Sequence, residues 1–168
     1  IAMSPDGKWV ALGGNGLVVL DAANGQIAYQ NPDIDPRGLA ALAFSHDGQW
    51  FATGGSDREV RIFAVNGWTQ VLGWSARTPG LITDLIWSSD DNLVLASNDR
   101  GTVTVHDATT GERRPDKGEA ITGFIGPATC LALTPDLQTL IVGEASSEQA
   151  AQQLMPGQTG LAQWSVRE

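Results

Sequence analysis

The stretch from Leu42 to Val65, LAFSHDGQWFATGGSDREVRIFAV, reads as three short β-strands joined by two reversals. Leu42 and Phe44 end an apolar strand that Ser45-His46-Asp47-Gly48 closes with a tight turn. Gln49 to Thr53 is the second strand, and Gly54-Gly55-Ser56-Asp57-Arg58 supplies the next reversal. Val60, Ile62 and Ala64 then alternate with Arg61 and Phe63. That period of two is what a strand requires, because successive side chains face opposite sides of a sheet. Gly, Asp and Ser tolerate the backbone angles of tight turns, and Asp-Gly between apolar runs is a strong hairpin signal.

The unit recurs. Ile1-Ala-Met-Ser-Pro-Asp-Gly7, Leu85-Ile-Trp-Ser-Ser-Asp-Asp91 and Leu131-Ala-Leu-Thr-Pro-Asp-Leu137 match Leu42-Ala-Phe-Ser-His-Asp-Gly48, so that a hydroxyl residue stands at 4, 45, 88 and 134, in steps of 41, 43 and 46. A second marker closes each third strand: Val19-Leu20-Asp21, Ile62-Phe63-Ala64, Val105-His106-Asp107 and Gln163-Trp164-Ser165, in steps of 43, 43 and 58. Two independent markers agree until the last unit, which carries an insertion. A period of about 40–45 residues with four strands is the signature of a propeller blade. The chain is therefore expected to be all-β, a propeller segment of four blades at about 1–38, 39–80, 81–126 and 127–168, each a four-stranded antiparallel sheet. The inner strands are expected to bury Leu42, Phe44, Leu85, Trp87, Leu131 and Leu133.

The units resemble the WD-repeat family over nearly the whole chain. The residues that carry the resemblance are the Ser4-Pro-Asp-Gly7 turn, the Ser56-Asp57 and Asn98-Asp99 reversals, and Val103-Thr-Val-His-Asp107 followed by Ala-Thr-Thr-Gly. The repeats are degenerate. Gly38, Gly80 and Gly126 stand without the histidine that usually follows, and the Trp of the Trp-Asp pair survives only as Trp164, with Leu20, Phe63 and His106 elsewhere. The resemblance implies a non-enzymatic protein-interaction or sensing module of a larger multidomain protein. The alternative is a fragment of an enzymatic propeller such as a quinoprotein-like dehydrogenase, since Asp21-Ala-Ala-Asn-Gly25 and Asp107-Ala-Thr-Thr-Gly111 also resemble the turns of that group. Rings of the WD-repeat family usually have about seven blades. The chain is thus expected to be the C-terminal part of a longer propeller, closed by upstream residues or, as the runner-up, by a second copy.

Composition narrows the partners. A net charge of −9 speaks against a nucleic-acid surface, which needs a basic face to displace counterions. No apolar run of membrane length and no signal peptide is present, and repeat irregularity points to a bacterial, cytoplasmic source. The one cysteine, Cys130, lies in an apolar strand and is expected to be a buried small hydrophobe.

Chemistry-bearing patterns are sparse, and neither a cofactor nor a metal site is expected. His46 falls in a turn and His106 at the position of the family's Trp, with no Cys or His partners at ligand spacing. Gly13-Gly-Asn-Gly16 links two strands and lacks a following helix, so it reads as a hairpin turn and not a phosphate loop. Asp90-Asp91 reads as an ordinary solvent-facing turn pair. Trp68 and Trp74, on an outermost strand, are read as packing between units, with partner contact as the alternative. Candidate partner-binding residues are Asp57, Arg58, Asp99 and Arg100 in second-to-third-strand turns, Arg37 and Arg77 before innermost strands, and Leu154 and Met155 in the 145–159 insertion. That insertion is either a floppy excursion or a partner-binding finger, possible as a helix because Ala and Gln favour one. In a propeller, blade-to-blade crossings and second-to-third-strand turns open on the same side, so these residues are expected on one face.

Overall fold

The computed structural model describes residues 1–35, 37–76, 80–114, 120–122, 124 and 126–145, and the backbone of 161–165. Among these residues the chain is all-β, and its strands form four consecutive antiparallel sheets. The first sheet holds β1 (Ala2–Met3), β2 (Trp9–Gly14), β3 (Gly16–Asp21) and β4 (Ile27–Asn31). The second holds β5 (Leu39–Phe44), β6 (Trp50–Gly55), β7 (Glu59–Ala64) and β8 (Thr69–Ser75). The third holds β9 (Ile82–Trp87), β10 (Leu93–Asn98) and β11 (Val103–Asp107), and the fourth β12 (Ala128–Leu133), β13 (Thr139–Glu144) and β14 (Leu161–Ser165). Every sheet is a meander, each strand pairing with the next in sequence. The first strands of successive sheets lie against one another, β1 by β5, β5 by β9 and β9 by β12.

The alternation of side chains divides the core into three layers between sheets. Phe51 and Phe63 face the first sheet and join Ala11, Leu17 and Val19. Their neighbours Ala52 and Ile62 face the other way and meet Leu85, Trp87, Val94 and Ala96 of the third sheet. Leu95, Val103 and Val105 in turn meet Leu140 and Val142 of the fourth. Each large side chain removed from water in this way contributes about 1.5–3 kcal/mol. Polar contacts also cross between sheets: Trp87 Nε1 donates to the Ala43 carbonyl at 3.1 Å, and Asp84 Oδ2 accepts from the Leu131 amide at 2.7 Å. Trp68 is buried among Trp9, Tyr29, Phe44 and Phe51, and Trp74 lies tilted against His106 at 5.3 Å, so both indoles pack between sheets.

The recurring hydroxyl marker closes the first turn of every sheet. Ser4, Ser45, Ser88 and Thr134 donate to Asp6, Asp47, Asp90 and Asp136 at 2.5–2.6 Å. The same oxygens accept the amides of Trp9, Trp50, Leu93 and Thr139 at 2.9–3.0 Å. These donated bonds hold the carboxyls of Asp6, Asp90 and Asp136 below the ordinary carboxylate range, and Thr109 does the same for Asp107. Burial pushes Asp84 the other way, against the two backbone amides bonded to it. A depressed carboxylate pKa stabilises the fold above the unfolded value and loses that contribution as pH falls through the folded one. Asp84 has the opposite sign, its contribution being lost as pH rises through its raised pKa. Four groups against one predict that thermal stability falls on acidification below about pH 4, read as a drop in Tm across a pH series. In Asp90→Asn and Asp136→Asn variants the drop should be smaller.

Among the described residues the third and fourth sheets have three strands each, and beyond β11 these residues make isolated bridges, His106 with Arg113 and Val103 with Ile121. Much of the sequence that would supply a fourth strand to the third sheet lies outside the described residues. Two expectations are corrected. Of the inner-strand residues, Leu85 and Trp87 are fully buried, whereas Leu42, Phe44, Leu131 and Leu133 are half-buried at the margins of their layers. Cys130 is exposed, not buried. It lies opposite Gly143 across a β-bulge, on the strand face turned away from the third sheet.

Candidate protein-interaction surface

One end of the sheets gathers the crossings between them and the second-to-third-strand turns. Its organiser is Asp35, which has no exposed surface. Its Oδ1 accepts the Arg37 amide at 3.2 Å and its Oδ2 the Asp57 amide at 3.1 Å, so one carboxylate joins the crossing to the β6–β7 turn. The Ser56 hydroxyl donates to the Arg37 carbonyl at 3.3 Å, and the Ser56 amide to the Gly38 carbonyl at 2.9 Å. Gly55 has to be glycine, because an added Cβ would lie 2.7 Å from Asp35 Oδ2 and 2.9 Å from Leu39 Cα. The departing crossing is tied in as well, through the Ala76 amide and the Arg58 carbonyl at 3.0 Å.

The third sheet repeats the device with different residues. Asp99 Oδ1 accepts the Leu81 amide at 2.8 Å, and the Asp99 amide donates to the Leu81 carbonyl at 3.1 Å. Asn98 Oδ1 accepts the amides of Arg100 and Thr102, both at 3.0 Å, and fixes the turn. In the fourth sheet the Ala145 amide donates to the Pro127 carbonyl at 2.9 Å.

The sequence candidates separate into two kinds. Arg37, Arg58 and Arg100 are exposed at this end. Arg58 holds a left-handed φ of 66°, which projects it from the tip of its turn. Asp57 and Asp99 are half-buried and engaged: Asp57 Oδ2 pairs with Arg61 Nη2 at 2.6 Å and its Oδ1 accepts the Glu59 amide, while Asp99 caps the crossing. Arg77, Leu154 and Met155, with most of the 145–159 insertion, lie outside the described residues. Sequence reading missed Asp35. The available signal was an aspartate two residues before a turn amide, the Asx-turn spacing, but the second bond to Asp57 depends on tertiary placement.

The two histidines have structural surroundings. His106 is buried, with Nδ1 3.1 Å from the Gly111 carbonyl and Nε2 3.1 Å from Thr104 Oγ1. His46 stands 3.0 Å from Asp91. Among the described residues no group of three or more His, Cys, Asp or Glu could hold a metal ion, and no helix is long and apolar enough to cross a membrane.

The family model for the WD domain, G-beta repeat, matches residues 36–63, from the Asp35 crossing through β7. Residues 36–63 thus match one WD repeat, and most of the chain is similar to WD-repeat proteins. It is 32% identical over 99 residues to the pre-mRNA-splicing factor cwf17 of Schizosaccharomyces pombe, covering 58% of this chain and 28% of that one. It is 28% identical over 145 residues to the WD repeat-containing protein sll1491 of Synechocystis, covering 84% and 39%. WD repeat-containing protein 1 of Rattus norvegicus is 27% identical over 137 residues, covering 81% and 22%. The chain therefore spans well under half the length of these relatives. They come from a yeast, a cyanobacterium and a mammal, which lends no support to the bacterial source expected from repeat irregularity.

Proposed function

We propose that this WD-repeat chain forms consecutive blades of a β-propeller and acts as a non-enzymatic scaffold that binds another protein at the end organised by Asp35 and Asp99. The observation that carries the reading is a division of labour at that end. The carboxylates are taken up by backbone amides and by Arg61, while Arg37, Arg58 and Arg100 are left exposed on turns held rigidly from below. Binding residues on loops positioned by a stiff scaffold are the common arrangement for recognition, and exposed arginines favour a partner with acidic or carbonyl-rich contacts. The outward faces of the first and fourth sheets carry exposed Met3, Ile27 and Ile141, which further sheets of the same protein would cover.

Affinity capture on the full-length protein, followed by titration of the captured partner, tests the reading. The combined Arg37→Glu, Arg58→Glu and Arg100→Glu variant is expected to lose about tenfold or more in Kd. Lys8→Glu, at the opposite end, should bind as the parent does. Retention of full affinity by the triple variant would contradict the proposal.

A further inference from the structure

The repeat supplies its own template for a second binding site. Gly25, Trp68 and Gly111 occupy equivalent positions, each four residues beyond the third-strand marker, and all three have left-handed φ, 73°, 53° and 71°. In the second unit that position bears an indole. Trp68 fills the space between the first and second sheets, edge-on to Trp9 at 5.6 Å, stacked on Tyr29 at 6.0 Å and edge-on to Phe44 at 6.4 Å. One repeat later the corresponding cage residues are Trp50, Leu72 and Trp87, and the residue that would fill the cage is Gly111, which has no side chain. Trp74 covers Gly111 and lies against His106. Beside it a cleft of about 240 Å³ stays open, lined by Trp50, Val71, Leu72, Trp87 and Asp91 among others. That volume is below the ~300–1,000 Å³ of typical small-molecule pockets, and it suits one large side chain.

Asp91 marks the same cleft by a second departure from the repeat. Its equivalents are Gly7 and Gly48, and it keeps their left-handed backbone, φ 56°. The conformation turns its carboxylate onto the neighbouring sheet, where Oδ1 accepts the His46 amide at 2.8 Å and Oδ2 the Asp47 amide at 2.9 Å. The sequence reading of Asp91 as a plain solvent-facing residue is therefore corrected: it clamps two sheets together, with His46 Nδ1 also 3.0 Å from its Oδ1, and its carboxylate forms part of the cleft wall. Asp47 and Asp90 are exposed close by in sequence, at the same end of the sheets.

We propose that this cleft binds an extended segment of a partner protein that presents an aromatic side chain beside an arginine or lysine. The aromatic ring lies against Trp50 in the part of the cage that Trp74 leaves open, and the cation lies next to Asp91. The site is at the opposite end of the sheets from Arg37 and Arg58 and does not depend on the partner reading above.

The test uses three synthetic peptides on the full-length protein, acetyl-Arg-Phe-Arg-amide, acetyl-Arg-Gly-Arg-amide and acetyl-Glu-Phe-Glu-amide, followed by the NMR signals of the Trp50 and Trp87 indoles. The first should shift both signals with a Kd of about 1 mM or tighter, and the other two should bind at least about tenfold more weakly. Val71 is half-exposed, so Val71→Lys and Val71→Glu should fold. The lysine should weaken Arg-Phe-Arg about fivefold and the glutamate should not. Asp91→Asn, which suits the left-handed backbone, should also weaken it. Equal binding of Arg-Gly-Arg, equal affinities of the two Val71 variants, or unmoved indole signals up to about 10 mM peptide would each overturn the proposal.

Discussion

Replacing Phe51 by alanine is expected to cost about 3–5 kcal/mol, enough to lower Tm by about 6–20 °C in a chain of this size. Phe51 has no exposed surface. Its ring lies 4.6 Å from Phe44, 6.1 Å from Trp68 and 6.5 Å from Phe63, centroid to centroid. Truncation would remove the ring at the centre of the layer between the first and second sheets. The cavity could not close cheaply, because its walls are aromatic rings fixed on two separate sheets. Ile27→Ala, on the exposed face of the first sheet, should change stability by no more than about 0.5 kcal/mol. Thermal unfolding of the two variants side by side checks the layer assignment. A Phe51→Ala cost no larger than that of Ile27→Ala would contradict it.

Asp35→Ala should be the most damaging change at the crossing end, at about 1.5–3 kcal/mol. The buried carboxylate accepts the amides of both Arg37 and Asp57, and alanine leaves the two donors without that partner. The functional consequence should exceed the loss of stability. Arg37 and Arg58 would lose their fixed spacing, and affinity for the partner should fall at least about tenfold at a temperature where the variant is still folded. Asp33→Ala, an exposed neighbour in the same crossing, should bind and unfold like the parent. Unfolding curves and partner titration of both variants separate the two effects.

Most of the fold was legible because strands announce themselves locally. The alternation over Val60–Ala64 placed β7, and the hydroxyl residues at 4, 45, 88 and 134 placed a first turn in every sheet. What escaped depends on which surfaces meet after folding. Cys130 sits in an apolar strand, yet its exposure follows from the absence of a described sheet on that side of the fourth sheet, a fact that strand patterning does not carry. Asp57 and Asp99 look like free turn carboxylates in sequence, but their acceptor oxygens are used by Arg61, Glu59 and Leu81. Asp35 and Asp91 reach amides 22 and 45 residues away in the chain, a separation that no local spacing reveals. The exposure of Arg37, Arg58 and Arg100 was easier to read, because a guanidinium on a turn needs no tertiary partner.

Amide hydrogen exchange of the full-length protein, with and without its captured partner, tests most directly whether the crossing end is the interaction surface. The account predicts slower exchange on binding at Arg37–Gly38, Ser56–Arg58 and Asp99–Gly101. Protection confined to the opposite turns, at Gly7, Asp47–Gly48, Asp91 and Leu137, would contradict it.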